Sequence, residues 1–181
     1  RNGTTKDDIC KLELLMKQAE ITVEDRKVTI VALEREKNEN GNPAMAIELR
    51  DGTIVSGGTS ELLGAASSAL INALKVLAGI DKEVKLIDPK AIDPIQDLKI
   101  NYLGSKNPRL HTDEVLTALS ATAANNEIAM KAMKKLPLLK GCDAHSTVLL
   151  SSVDEQIFKK LGIQLTCEPK YEEDERMYHK N

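Results

Sequence analysis

Ile9, Leu12, Leu15, Met16 and Ala19 recur at steps of three and four, a spacing that predicts an apolar helix stripe over residues 7–19. A second helix is expected from Thr22, because Glu24 and Asp25 would stand in its first turn, where carboxylates favour the positive end of the helix dipole. The β-branched run Val28-Thr29-Ile30-Val31 also suits a strand. Val28, Val31, Ala32 and Arg35 nevertheless keep helical spacing into a charged exit closed by Gly41, so helix is the expectation. Residues 44–50 and 53–56 flank Asp51-Gly52, a dipeptide that readily takes the positive φ of a two-residue hairpin turn. Gly57-Gly58-Thr59-Ser60-Glu61 should launch a long helix striped by Leu62, Ala66, Ala69, Leu70, Ala73 and Leu77 and stopped by Gly79. Its Gly-, Ala- and Ser-rich first half permits close backbone approach, to a sheet or to a second subunit.

The second half reads as shorter pieces. Residues 84–87 suggest a strand, and Asp93-Pro94 places a capping carboxylate before a first-turn proline, opening a helix that runs to about Leu103. Residues 104–111 show no periodicity; Thr112 then suits the cap of a helix with Leu116, Leu119 and Ala123 facing inward. Another helix is expected over 126–135. A strand over 146–151, a capping box in Ser152-Val153-Asp154-Glu155, a stop at Gly162 and a strand over 163–167 make a compact strand-helix-strand unit. This order predicts an α/β fold, a mixed β-sheet of about five strands faced by helices. Residues 1–40 form a helical lead-in continuing from a missing N-terminal domain, 41–169 an α/β C-terminal domain, and 170–181 a polar tail expected to fray.

Composition narrows the function. A chain of 181 residues, 41% apolar, is long enough to bury a real core. Twenty-five Lys and Arg against 28 Asp and Glu leave a charge of −3, with no general attraction for nucleic acid or an anionic membrane, and neither is expected as a partner. Ser67, Ser68, Asn72 and Lys75 interrupt the longest apolar stretch, no secretory leader is evident, and a cytoplasmic location is expected. Three cysteines without a CxxC indicate reduced thiols. The opening RNGTTKDD reads as the middle of something longer.

Two segments carry candidate chemistry. Residues 105–114 place Lys106, Arg109 and His111 just before a helix start, with Ser105 and Thr112 as hydroxyl donors, so a phosphate or carboxylate would find both basic groups and free N–H groups there. Asp113 and Glu114 compete, because they can satisfy the helix dipole themselves. Gly141-Cys142-Asp143-Ala144-His145-Ser146 sets a thiol near an imidazole, the raw material of a nucleophile and its base. Positions three apart on an extended chain point to opposite faces, so the pair meets only if the segment turns; otherwise Cys142 is a buried small thiol and His145 a satisfied histidine.

Other features read as structure. Cys142, His145, Cys167 and His179 follow none of the recurring zinc spacings, and no metal is expected. Gly57-Gly58-Thr59-Ser60 reads as turn chemistry rather than a phosphate cradle, and Lys134, Lys135, Lys140, Lys159 and Lys160 as a solvated face.

Taken together, GNPAMAIELRDGTIVSGGTSELLGAASSALINALKVLAGI, LGSKNPRLHTDEVLTALSATAA and GCDAHSTVLLSSVDEQIFKKLGIQLTCEP resemble the C-terminal part of the bacterial domain-of-unknown-function family 1846, most strongly over residues 41–169. The resemblance implies a longer protein whose N-terminal portion carries a Gly-rich, Lys-containing phosphate-loop-like run, and hence a nucleotide bound in the full-length protein. No GxxxxGK[ST] run occurs here, so no cofactor is expected within this segment itself.

Two functional readings follow. In the first, this is the C-terminal domain of a nucleotide-dependent enzyme, partnered by its own N-terminal domain. Lys106 and Arg109 would hold an anionic small molecule, His111 or His145 would move a proton, Asp113 would assist, and Cys142 would line the site or attack. In the second, the helix carrying Gly64 to Ala73 builds a homo-oligomer and the domain is a scaffold.

Overall fold

The computed structural model describes residues 6–172; the rest of the expected tail, 173–181, lies outside them. The elements are α1 (Lys6–Gln18), α2 (Lys27–Asn38), β1 (Ala44–Glu48), β2 (Ile54–Gly58), α3 (Ala65–Ala78), α4 (Pro89–Asp97), α5 (Thr112–Ala123), α6 (Glu127–Met133), β3 (Asp143–Ser146), α7 (Ser152–Lys160) and β4 (Gln164–Cys167). The class is α/β. The sheet has four strands in the order β2-β1-β3-β4, one fewer than expected: β1 runs antiparallel to β2 and β3, and β3 runs parallel to β4.

The sheet separates two apolar layers. Met45, Ile47 and Ala144 join the main core with α3, α5, α6 and Phe158 of α7, while Ala46 meets Val28 and Ala32 of α2 on the opposite face. Val28–Val31 is therefore helical. The helix expected from Thr22 begins later, at Lys27: the Thr22 N–H lies 2.6 Å from Asp25 Oδ2, but this contact opens only a 3-10 turn. Arg26 then leaves helical geometry, and its guanidinium donates to the carbonyls of Ala144 and Gln164 and to Thr166 Oγ1, pinning α2 to β3 and β4.

Local chemistry moved several boundaries. The hairpin closes through a three-residue loop rather than a two-residue turn: Leu49 N–H bonds to Thr53 O at 2.8 Å, and Gly52 takes φ +83°. Gly57 and Gly58 belong to β2, and α3 starts only after Gly64. A Cβ on Gly57 would lie 2.2 Å from the backbone N of Ala69, so the small residues of α3 serve contact with this sheet. Residues 84–87 form no strand; Leu86 and Ile87 are buried from an irregular loop that Lys75 ties by its Nζ to Lys82 O. Asp88-Pro89, not Asp93-Pro94, opens α4: both doublets carry the signature, and Asp88 Oδ1 accepts the Lys90 N–H at 2.9 Å. A π-helical turn, Leu98–Tyr102, follows.

The expected strand over 146–151 lies earlier. Only Asp143–Ser146 pairs, because Ser146 Oγ donates to Val148 O at 2.7 Å and accepts the Val148 N–H at 3.3 Å, turning the chain out of the sheet. The cap of α5 is His111, with Thr112 the first helical residue, and that of α7 is Ser151. The strand-helix-strand unit is present as β3-α7-β4.

Candidate functional site

Parallel strands β3 and β4 end on the edge of the sheet where β1 begins and β2 ends. Crevices at the carboxyl ends of parallel strands are the usual ligand sites of α/β sheets. Here a cavity of about 210 Å³ is lined by Thr59, by residues 64–67 at the start of α3, by Asn107, Arg109, Leu110 and His111 before α5, and by residues 148–151 and Asp154 at the start of α7. The N-termini of three helices thus border one space.

The three termini differ. Ser151 Oγ caps α7 by accepting the Asp154 N–H at 3.1 Å. Glu114 Oε2 accepts the His111 N–H at 2.7 Å at the start of α5. The α3 terminus has Gly64 as its cap, no capping side chain and no acidic residue in its first turn, so its dipole is the least compensated of the three.

Asp154 ties two of these helices together. It is buried, at 7% exposure, and its Oδ1 accepts the Thr112 N–H and hydroxyl, both at 2.9 Å. Its Oδ2 accepts from Ser151 Oγ at 2.7 Å and lies 2.9 Å from His111 Nδ1. Burial disfavours its charge, but the His111 ring, the Thr112 N–H and Ser151 outweigh it and hold the carboxyl below its usual range. The same contact, against the opposing effect of burial, raises His111 above the usual imidazole range. With Nδ1 engaged by Asp154, Nε2 is the nitrogen left for proton exchange.

The loop before α5 is held from behind. Lys99, on the π turn and 6% exposed, donates from Nζ to Arg109 O at 2.6 Å and to Glu114 Oε2 at 2.8 Å. The Arg109 guanidinium donates from Nη1 to Glu172 Oε1 at 2.7 Å. Glu172 also lines an adjoining depression of about 350 Å³ with Glu36, Asn42 and Lys170. The cavity therefore holds one arginine and one histidine against two carboxylates, Asp154 and Glu172.

Arg109 and His111 line the cavity, and Thr112 reaches it through Asp154. Ser105 is turned to its own loop, with Oγ 3.3 Å from Asn107 O, and exposed Lys106 and Asp113 are not among the lining residues. The second segment does not join the first. In β3, His145 pairs with Ala46 on the α2 face, while Cys142 is buried in the main core before the strand's other end. Burial raises the Cys142 thiol above its ordinary value, and Sγ lies 3.6 Å from Leu138 O, so this thiol is protonated and packed. Burial also lowers His145 despite Glu168, giving a neutral ring. A carboxylate only accepts, which assigns the His145 proton to Nε2, 3.1 Å from Glu168 Oε1; Nδ1 then accepts from Thr166 Oγ1 at 2.8 Å. Among the described residues no group of three or more His, Cys, Asp or Glu is placed to hold a metal.

The arrangement defines an α/β domain with a His–Asp pair in a cavity at the carboxyl edge of its sheet. The family model "Domain of unknown function DUF1846, C-terminal" matches residues 24–178, and the chain belongs to that family. It is 54% identical over 162 residues to the UPF0371 protein of Corynebacterium glutamicum (strain R), covering 90% of this chain and 32% of the relative. It is 54% identical over 171 residues to the UPF0371 protein of Streptococcus sanguinis (strain SK36), covering 94% of this chain and 34% of that protein. The chain thus spans about a third of the length of these relatives. No helix of the described residues is long and apolar enough to cross a membrane.

Proposed function

We propose that this domain supplies the anion-holding and proton-transferring wall of a catalytic cleft in a longer, cytoplasmic, nucleotide-dependent enzyme. The observation that carries the reading is the position of the His111–Asp154 pair in the same cavity as the poorly compensated N-terminus of α3. Backbone N–H groups at a helix start favour phosphoryl or carboxylate oxygens. Arg109 adds a cation suited to planar, bidentate contact, and His111, oriented by Asp154, gives or takes a proton at Nε2. The nucleotide dependence rests on the family resemblance and belongs to the portion that precedes this domain in longer relatives.

The cavity is small, about 210 Å³, which suits a phosphoryl or carboxylate group rather than a whole nucleotide. The test is titration of the protein with inorganic phosphate, following the His111 ring signals by NMR. Saturable binding that raises the His111 pKa and weakens by about tenfold in Arg109→Ala supports the reading. Phosphate that leaves the His111 signals unmoved overturns it and leaves the scaffold as the better account. Against that scaffold, the small-residue stretch of α3 is already occupied by β2.

A further inference from the structure

Helix α1 is built to be covered. Ile9, Leu12 and Leu15 are 46%, 56% and 60% exposed, and Ile21 and Val23 extend the apolar patch through the connection to α2 at 50% and 58%. Every side chain from Asp7 to Glu20 is exposed except half-buried Met16, and α1 shares no packed interface with another element among the described residues. Thirteen residues is close to the length at which an isolated helix is marginal in water, so a helix of this sequence needs a partner on its apolar side to persist. Scattered surface apolar residues need no explanation, but a continuous stripe on an otherwise unsupported helix does.

Two further observations indicate what covers it. The family's C-terminal model begins at residue 24, immediately after this patch, so α1 and Val23 stand outside the matched domain. The relatives are also about three times as long as this chain, and the C-terminal position of the match puts most of their remaining length before residue 24. We infer that the apolar face of α1 docks on the polypeptide that precedes it in a protein of the relatives' length. The helix is then an element of that preceding unit, and α2 belongs with the domain that the family model matches from residue 24. Cys10, exposed on the same helix, would lie at or beside this junction.

The experiment compares amide hydrogen exchange in the 181-residue chain with that in a chain of the relatives' length ending in this sequence. In the longer chain, amides of residues 11–18 are expected to exchange on the order of tenfold more slowly, or slower still, and equally so at about 1 and about 100 µM protein. Leu12→Asp with Leu15→Asp in the longer chain should restore fast exchange there while β1 and α3 stay protected. Equal rates in the two wild-type chains overturn the inference. So does protection of α1 in the 181-residue chain that grows with concentration, because a second copy would then be the occupant. The wild-type comparison decides the matter even if the double variant does not fold.

Discussion

His111 Nδ1 lies 2.9 Å from Asp154 Oδ2 across 43 positions of sequence, and this contact joins the starts of α5 and α7. Its charges stabilise each other within a defined window. The Asp154 pKa is lowered, so its contribution is present above the unfolded carboxylate value and is lost as pH falls through the folded value. The His111 pKa is raised, so its contribution is complete below the unfolded imidazole value of 6.5 and is lost as pH rises through the folded value. Urea unfolding across pH is therefore expected to show a wild-type advantage over Asp154→Asn that is greatest in mildly acidic solution and shrinks toward alkaline pH. The same variant should return the His111 pKa toward 6.5 by NMR. Asp154→Ala leaves the buried Thr112 donors unsatisfied and is expected to cost about 2–4 kcal/mol. A His111 pKa that stays raised in Asp154→Asn would falsify the pairing.

Much of this fold is legible in residue order. The strand-helix-strand unit, the helical reading of Val28–Val31 and the hairpin all rest on periodicity and turn chemistry between neighbouring elements. What the sequence hides is long-range. Asp154 reads as a local capping residue, because both Ser151 and Ser152 stand three positions before a carboxylate, and nothing local says that Asp154 also serves α5. Lys99 reads as one surface lysine among many until the π turn folds it beneath the 105–111 loop. His145 and Cys142 lie near each other in sequence, but strand alternation places the imidazole beside Ala46 on the α2 face, while Cys142, one residue before β3, is buried in the main core with Ala144.

Gly57 and Gly58 are adjacent but differ in what a side chain would meet. At Gly57 the added carbon would lie 2.2 Å from Ala69 N and 2.6 Å from Ser68 C, backbone atoms that move only with α3. At Gly58 it would meet the Glu39 carboxylate at 1.7 Å, the end of a flexible side chain. Gly57→Ala is expected to lose about 2–4 kcal/mol or to fail to fold, and Gly58→Ala to lose about 1 kcal/mol as Glu39 swings aside. Equal denaturation midpoints for the two variants would contradict the proposed close approach of β2 and α3.

Lys99 offers a test of the loop that carries Arg109 and His111. Replacing it with Met keeps the stem but strips the charge from a buried pair whose carboxylate is 26% exposed, so a loss of about 1–3 kcal/mol is expected after allowing for solvent at Glu114. Phosphate affinity should fall as well, since the Arg109 carbonyl loses its donor. Unchanged stability with unchanged phosphate binding would show that the loop is held without Lys99.

The thiols test the second candidate segment. In the 181-residue chain Cys10 is exposed, whereas Cys142 is 1% exposed with a raised pKa, so a thiolate-directed reagent at neutral pH should modify Cys10 of this chain rapidly and Cys142 only on unfolding. Cys142→Ala is accordingly expected to leave phosphate binding intact. Fast modification of Cys142 in the folded protein, measured by mass spectrometry, would return it to the list of reactive groups.

Glu172 sets the last prediction. Its carboxylate bonds the Arg109 guanidinium at 2.7 Å, and the chain carrying it is laid against the cavity by the Leu149 N–H, 2.7 Å from Lys170 O. An incoming anion competes with this internal carboxylate for the same guanidinium, and the negative charge of Glu172 also opposes its approach. Glu172→Gln keeps the shape and removes the charge, so it is expected to tighten phosphate binding by about three- to tenfold, with the gain shrinking at high salt. In Arg109→Ala the same change should do less, since the contested group is gone. If Glu172→Gln weakens phosphate binding instead, Glu172 orients Arg109 for the ligand rather than competing with it, and the Arg109 guanidinium held by Glu172 is the group on which the anion depends.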